Sequence, residues 1–203
     1  LYKAGLDVED KVAIFSQNCP EILTTHFAAY YNRSVAVPIY ATSSKNEAAY
    51  IINDAQTLVL FVGDQQQYDI AMEIVDECPS LKYVVTYNPL VEKRADDKIS
   101  MTWEEFLDWG EDTDVELLNK RKESALPSDL MVLIYTSGTT GLPKGVMLCH
   151  SNFNAAILAH NMRIPSLNDE TDLSLSFLPF MISSQISHSE GVSSGSRSAT
   201  SFR

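Results

Sequence analysis

Positive charge is scarce in this chain: 15 lysines and arginines stand against 27 aspartates and glutamates, a formal net charge of −12 over 203 residues. Such a surface repels phosphodiester backbones and anionic lipid, so nucleic acid is not expected as a partner. Cysteine is also thin. Cys19, Cys78 and Cys149 lie far apart with no C-x-x-C pair, which argues against a disulfide framework and a zinc site and predicts buried or partly buried reduced thiols. No apolar run approaches the ~20 residues of a membrane span, and no charged-then-apolar leader is visible. The expected compartment is the cytosol. The first residue is Leu1 rather than methionine, so the true start is expected upstream.

Apolar residues make up 45% of the chain and charged residues 21%, the balance of ordinary globular material with a real core. The pattern alternates. Val12 to Phe15 is a short strand, followed by a helix with Asn18 and Glu21 as its N-terminal capping pair and Ile22, Leu23, His26, Phe27, Tyr30 and Tyr31 on one stripe. Val35 to Ile39 reads as a second strand, with Pro38 marking an edge or a strand end. Ser44 and Glu47 make a capping box, and Ala48, Ile51, Ile52 and Ala55 follow at helical spacing. Leu58 to Val62 and Leu81 to Tyr87 are further strands, separated by a helix carrying Tyr68, Ala71, Val75 and Cys78. This rhythm predicts an α/β fold with a mainly parallel sheet and flanking helices.

The polar stretch 88–128 is predicted to hold one helix, capped by Thr102 and Glu105, with Trp103, Phe106, Leu107 and Trp109 as core contacts. Leu130 to Tyr135 is the most apolar strand. It runs into Thr136-Ser137-Gly138-Thr139-Thr140-Gly141-Leu142-Pro143-Lys144-Gly145, and Val146 to Leu148 returns as a strand. Ser151 is expected to cap a helix reaching about Asn161. Gly138, Gly141 and Gly145 permit tight turning and close backbone approach to a ligand. The hydroxyls of Thr136, Ser137, Thr139 and Thr140 and exposed amides can donate to phosphate oxygens, and Lys144 adds a positive charge. These features describe a polyphosphate cradle that draws on local donors against an acidic background. The spacing is neither G-x-x-x-x-G-K-[ST] nor G-x-G-x-x-G, so a common triphosphatase loop or dinucleotide fold has no support.

The run YTSGTTGLPKGVML resembles the signature loop of the AMP-forming adenylate superfamily: acyl-CoA synthetases, luciferases and peptide-synthetase adenylation domains. VAIFSQNCPE, VPIYATSSKNEAAYIINDA and LVLFVGDQQQYD are similar to segments of long-chain fatty-acid–CoA ligases. The resemblance covers roughly residues 1 to 180. It implies the incomplete N-terminal part of the large domain of an adenylate-forming enzyme, with ATP, Mg2+, coenzyme A and a fatty acid as the small molecules of a two-step reaction. ATP and acid give acyl-AMP and pyrophosphate; coenzyme A then displaces AMP to give a thioester. The resemblance also implies that Thr136, Ser137, Gly138, Thr139, Thr140, Gly141 and Lys144 hold the β- and γ-phosphates. The superfamily's adenylation lysine lies in a C-terminal domain beyond this chain, so no catalytic residue and no metal ligand is expected here. The fragment is expected to be inactive alone, and contact with a membrane surface is left to the complete enzyme.

His150 beside the loop is read as a helix-start hydrogen-bonding residue in preference to a catalytic base, and His26 as a core histidine. Leu175 to Pro179 is read as a strand end, after which relatives continue with Ser-His and an apolar run where this chain has Phe180-Met181-Ile182-Ser183. Nine of the residues 181–203 are serine, so this segment is expected to be an aberrant or disordered tail outside the fold. The competing functions are a catalytically silent nucleotide-binding or interaction module, and an adenylating enzyme for another carboxylic acid.

Overall fold

A computed structural model describes residues 1–136 and 142–163. Among the described residues seven strands form one sheet: β1 (Lys11–Phe15), β2 (Val35–Ile39), β3 (Thr57–Val62), β4 (Tyr83–Thr86), β5 (Ser100–Thr102), β6 (Leu130–Thr136) and β7 (Lys144–Cys149). Their order is β5-β4-β3-β1-β2-β6-β7. Every pairing is parallel except the last, where β7 returns antiparallel to β6. The described helices are α1 (Pro20–Tyr31), α2 (Lys45–Ala55), α3 (Gln65–Ile74), α4 (Trp103–Gly110), α5 (Val115–Glu123) and α6 (His150–Arg163), with a 3-10 turn at Val75–Glu77. The expected mainly parallel α/β architecture is what the chain adopts.

Alternation along the strands divides the core between the two faces of the sheet. Ala13, Phe15, Leu60, Val62 and Val84 join Val35, Val37 and Ile39 under the buried stripe of α2 and under Tyr68 and Ala71 of α3. Val12, Ile14, Val59, Phe61 and Val85 face Ile22 of α1 and Phe106 of α4 on the other side. There Phe61 stacks on Tyr87 with ring centroids 5.6 Å apart and meets the Phe106 ring edge-on at 5.3 Å, geometry worth ~0.5–1.5 kcal/mol per pair beyond area burial. Strands buried on both faces read as continuous apolar runs, which is why β1 and β3 stand out in the sequence.

Local chemistry sets the boundaries. Ser44 and Glu47 do form the capping box of α2, and Thr102 and Glu105 that of α4. The cap of α1 differs from expectation: Cys19, extended at φ −148, is the N-cap and Pro20 occupies the first turn, where a missing N–H costs nothing. Its buried residues are Ile22, Thr25, His26 and Ala29, while Tyr31 is exposed. β2 is an interior strand, and Pro38 lies at its carboxyl end. Leu107 faces solvent, and Phe106 is the buried residue of α4.

Residues 88–128 hold more than the one expected helix. Strand β5 extends the sheet beside β4, and α5 follows α4. No residue of α5 is buried. The helix is held by cations instead of an apolar stripe. Arg121 donates to the Leu6 carbonyl at 2.8 Å and to Asn32 Oδ1 at 3.0 Å, pairs with Asp7 at 2.9 Å and covers the Tyr2 ring. Nearby Arg33, in left-handed backbone at φ 57, sends its guanidinium 2.8 Å to Asp129 and 2.9 Å to Ser124 Oγ. That pair ties the end of α1 to the start of β6.

Candidate functional site

The loop of interest hangs from the β6–β7 hairpin at the carboxyl end of the sheet, the end where open α/β sheets take their ligands. Thr136 and Lys144 are cross-strand partners at its mouth. Both side chains are exposed and stand together where the chain enters and leaves the loop. Ser137, Gly138, Thr139, Thr140 and Gly141 lie outside the described residues. The third glycine has a different role from the one expected. Gly145 pairs with Tyr135 across the hairpin, and a methyl group there would meet the Tyr135 ring at 3.2 Å. Its missing side chain admits an aromatic ring, not a ligand.

Beside the hairpin is a cleft of about 520 Å³ lined by Tyr40, Thr42, Ser43, Glu47, Ile51, Tyr135, Thr136 and Pro143. It lies beyond the pairing of β2 and β6 at Ala36 and Val132, and Pro38, two residues on, brings no N–H to that ladder. The wall opposite the loop is the turn from β2 into α2. The Ser43 amide donates to the Tyr40 carbonyl at 2.8 Å, and buried Gln67 of α3 donates to the Ala41 carbonyl at 2.9 Å. The first turn of α2, with its partial positive charge, therefore borders the same space as Thr136 and Pro143. Sequence reading passed over this wall. Its signal was the hydroxyl run Thr42-Ser43-Ser44 directly after a parallel strand and ahead of a capping box.

Tyr135 joins the two walls. Its ring is buried, meets Tyr50 of α2 edge-on at 6.4 Å, and its hydroxyl donates to Asp54 Oδ2 of α2 at 2.6 Å. Burial first, and then the adjacent Asp54 carboxylate, raise the phenol well above its ordinary value, so Tyr135 keeps its proton and stays a donor.

His150 does not lie beside the loop. It follows Cys149, which pairs with Leu130 at the far end of β6, ~20 Å from Lys144 along the strand. It packs edge-on against Tyr30 at 5.7 Å, and its backbone N–H donates to the Asp129 carbonyl at 3.2 Å. Burial lowers its pKa against the opposing pull of Asp129. The helix-start role holds, and distance removes any part in loop chemistry. His26 is a core residue whose Nδ1 lies 3.0 Å from the Tyr30 hydroxyl, and burial drops its pKa to about 4.

Among the described residues no three His, Cys, Asp or Glu side chains converge as a metal site. Glu47 in the cleft wall already accepts from the Ser44 amide at 2.8 Å. The three cysteines are free, Cys78 buried and the other two partly so, and burial raises Cys19 to about 11. No described helix is long and apolar enough to cross a membrane.

A family model described as AMP-binding enzyme matches residues 1–192. The chain belongs to the AMP-binding enzyme family. Curated family members include long-chain-fatty-acid–CoA ligase ACSBG2 of Xenopus laevis, 33% identical over 180 residues, which cover 87% of this chain and 24% of that protein. Long-chain-fatty-acid–CoA ligase ACSBG1 of Homo sapiens is 36% identical over 151 residues, 74% of this chain and 20% of that protein. The chain thus spans about a quarter of the length of the curated relatives it matches. Among solved structures, a Rhodopseudomonas palustris protein described as a long-chain-fatty-acid CoA ligase superposes with a TM-score of 0.74 at 20% identity, covering 96% of this chain and 45% of that one. That likeness is one of fold.

Proposed function

We propose that this chain is the phosphate-holding part of an ATP-dependent, AMP-forming acid–thiol ligase that activates long-chain fatty acids. The observation that carries the reading is the hairpin mouth: Thr136 and Lys144 face each other across β6 and β7 at the edge of a cleft, in a chain of the AMP-binding family whose curated relatives are fatty-acid–CoA ligases. Thr136, Ser137, Gly138, Thr139, Thr140, Gly141 and Lys144 are assigned to the β- and γ-phosphates of ATP. Their work is positioning and charge neutralisation as pyrophosphate departs. An ammonium repels a bare cation and hydroxyls without a carboxylate hold one only weakly, so Mg2+ is assigned to enter on the triphosphate. Coenzyme A is the thiol of the second step, and the cytosol is the assigned compartment.

The test is a pair of single-turnover measurements on a complete enzyme carrying this segment with Lys144→Ala. Charge-assisted contacts of ~1.5–3 kcal/mol translate to a ~10- to 150-fold slower acyl-adenylate formation from ATP and acid. Thioester formation from preformed acyl-AMP involves no triphosphate and should change little. Equal loss in both half-reactions would overturn the assignment. The 203-residue chain assayed alone with ATP and palmitate is expected to give no acyl-CoA, since three quarters of its relatives' length lies beyond it; a product would overturn that part of the reading. Residues 1–180 are proposed as the folded partial domain and 181–203 as a tail outside it. The family match reaches residue 192, so a protease-resistant core ending near 180 would support this boundary and one ending beyond 190 would refute it.

A further inference from the structure

The cleft has two walls carried by different elements, and Tyr135 joins them. We propose that Tyr135 is a positioning residue of the phosphate site: its hydroxyl on Asp54 and its ring over Gly145 hold the mouth of the loop at a fixed distance from α2. The inference rests on the phosphate assignment above and adds a residue to it.

Three contacts support it. The hydroxyl lies 2.6 Å from Asp54 Oδ2, a short charge-assisted bond of the stronger class. Asp54 itself is exposed, so folding does not require this bond to satisfy a buried carboxylate; the bond ties an otherwise hydrated group to the hairpin. The ring meets Tyr50 of α2 in a perpendicular contact and lies against the bare backbone of Gly145. Tyr135 and Gly145 are the pair immediately below Thr136 and Lys144. Any tilt of the ring therefore moves the two loop anchors, and any movement of α2 moves the ring. The first turn of the same helix borders the cleft through Glu47. One helix thus lines the cleft at its start and holds the hairpin near its end.

The geometry predicts graded effects. Tyr135→Phe removes only the oxygen. Asp54→Asn keeps an acceptor at the same place, and Asp54→Ala removes it. Gly145→Ala pushes on the ring carbon that bears the hydroxyl. The experiment measures binding of sodium pyrophosphate by titration calorimetry to the 203-residue chain and its variants, with thermal melts as a control and amide hydrogen exchange across β7 as a second readout. Expected are a roughly three- to tenfold loss of pyrophosphate affinity in Tyr135→Phe and Asp54→Ala, near-normal affinity in Asp54→Asn, and no further loss when Tyr135→Phe and Asp54→Ala are combined, because both break one bond. Exchange at Gly145 and Val146 should quicken in Tyr135→Phe while β1 and β3 stay protected.

If Lys144→Ala weakens pyrophosphate and Tyr135→Phe does not, the positioning role is wrong and the phosphate assignment stands. If neither variant matters, or the unaltered chain does not bind pyrophosphate, the phosphate assignment fails in this chain. Unchanged exchange at Gly145 and Val146 would then also refute the mechanical link, independently of any ligand. A Tyr135→Phe variant that loses affinity only in proportion to a lowered melting temperature would make the bond a stability element, and would equally overturn the proposal.

Discussion

The two sides of the sheet are built differently. From β4 to β2 the strands are covered on both faces, and their residues are almost all buried. The β6–β7 side is open: four of the six residues of β7 are exposed, including Val146 and Met147, and so are Leu158 and Met162 of α6, whose buried anchor is Phe153. The covered side holds most of the burial that stabilises the chain. The open side carries the loop. β6 belongs to both, with Leu133 and Tyr135 in the core under α2 and Thr136 in solvent, so the loop is presented from a rigid strand at the border of the packed region.

The contrast can be tested by substitution. Phe61→Ala, in the aromatic cluster of the covered side, should lose about 3–5 kcal/mol of stability, whereas Met147→Ala on β7 should change it by less than about 0.5 kcal/mol. Urea denaturation of both variants checks this, and comparable losses would mean that the open side is as tightly packed as the other. Acid probes the seam between the sides, where His26 meets Tyr30. The folded pKa of His26 is about 4, below the ~6.5 of an unfolded histidine. The unfolded chain therefore takes up the proton first, and stability falls as pH drops from 6.5 towards 4. Moving from pH 7 to pH 5 should destabilise the chain by about 2 kcal/mol, and His26→Gln should flatten that slope. His150, also lowered by burial, acts in the same direction. A smaller loss than that of Phe61→Ala is expected at the seam's ion pair: Arg33→Ala should cost ~1–2 kcal/mol, since both partners are mostly buried and Asp129 would keep the Leu126 amide as a donor. A loss within error would show that the two sides adhere without it.

Where apolar spacing decided the structure, the sequence was readable. The stripe Ala48, Ile51, Ile52 and Ala55 is buried as spaced, and β2 runs from Val35 to Ile39 as its composition implies. Where charge decided it, the sequence was opaque. α5 has no buried face, and the partners of Arg121 are Leu6, Asp7 and Asn32, at least 89 positions away, which no local pattern announces. The three residues of β5 were too few to show an alternation. The candidate site was legible on one of its two walls. The loop's composition pointed to Thr136 and Lys144, but the opposite wall, Tyr40 to Glu47, and the link from Tyr135 to Asp54 across 81 positions depend on β2 and β6 being neighbours. Gly145 had an audible signal with the wrong cause, and His150, adjacent in sequence to a short strand, was carried by that strand to the other end of the sheet.

The pairing of Thr136 with Lys144 has a consequence for how this chain tolerates mutation. Paired residues of an antiparallel hairpin sit ~4.5–5.5 Å apart, so residues 137–143 start and finish at two sockets that β6 and β7 hold in place. Closing a longer loop between the same sockets is inexpensive, since doubling its length adds only ~0.6 kcal/mol of entropy. A melting curve is therefore almost blind to insertions and replacements within this segment, while the phosphate site proposed for it would depend on every atom in it. Libraries screened for expression or thermal tolerance should accumulate damage here unnoticed, and only a selection that reads ligand binding would purge it.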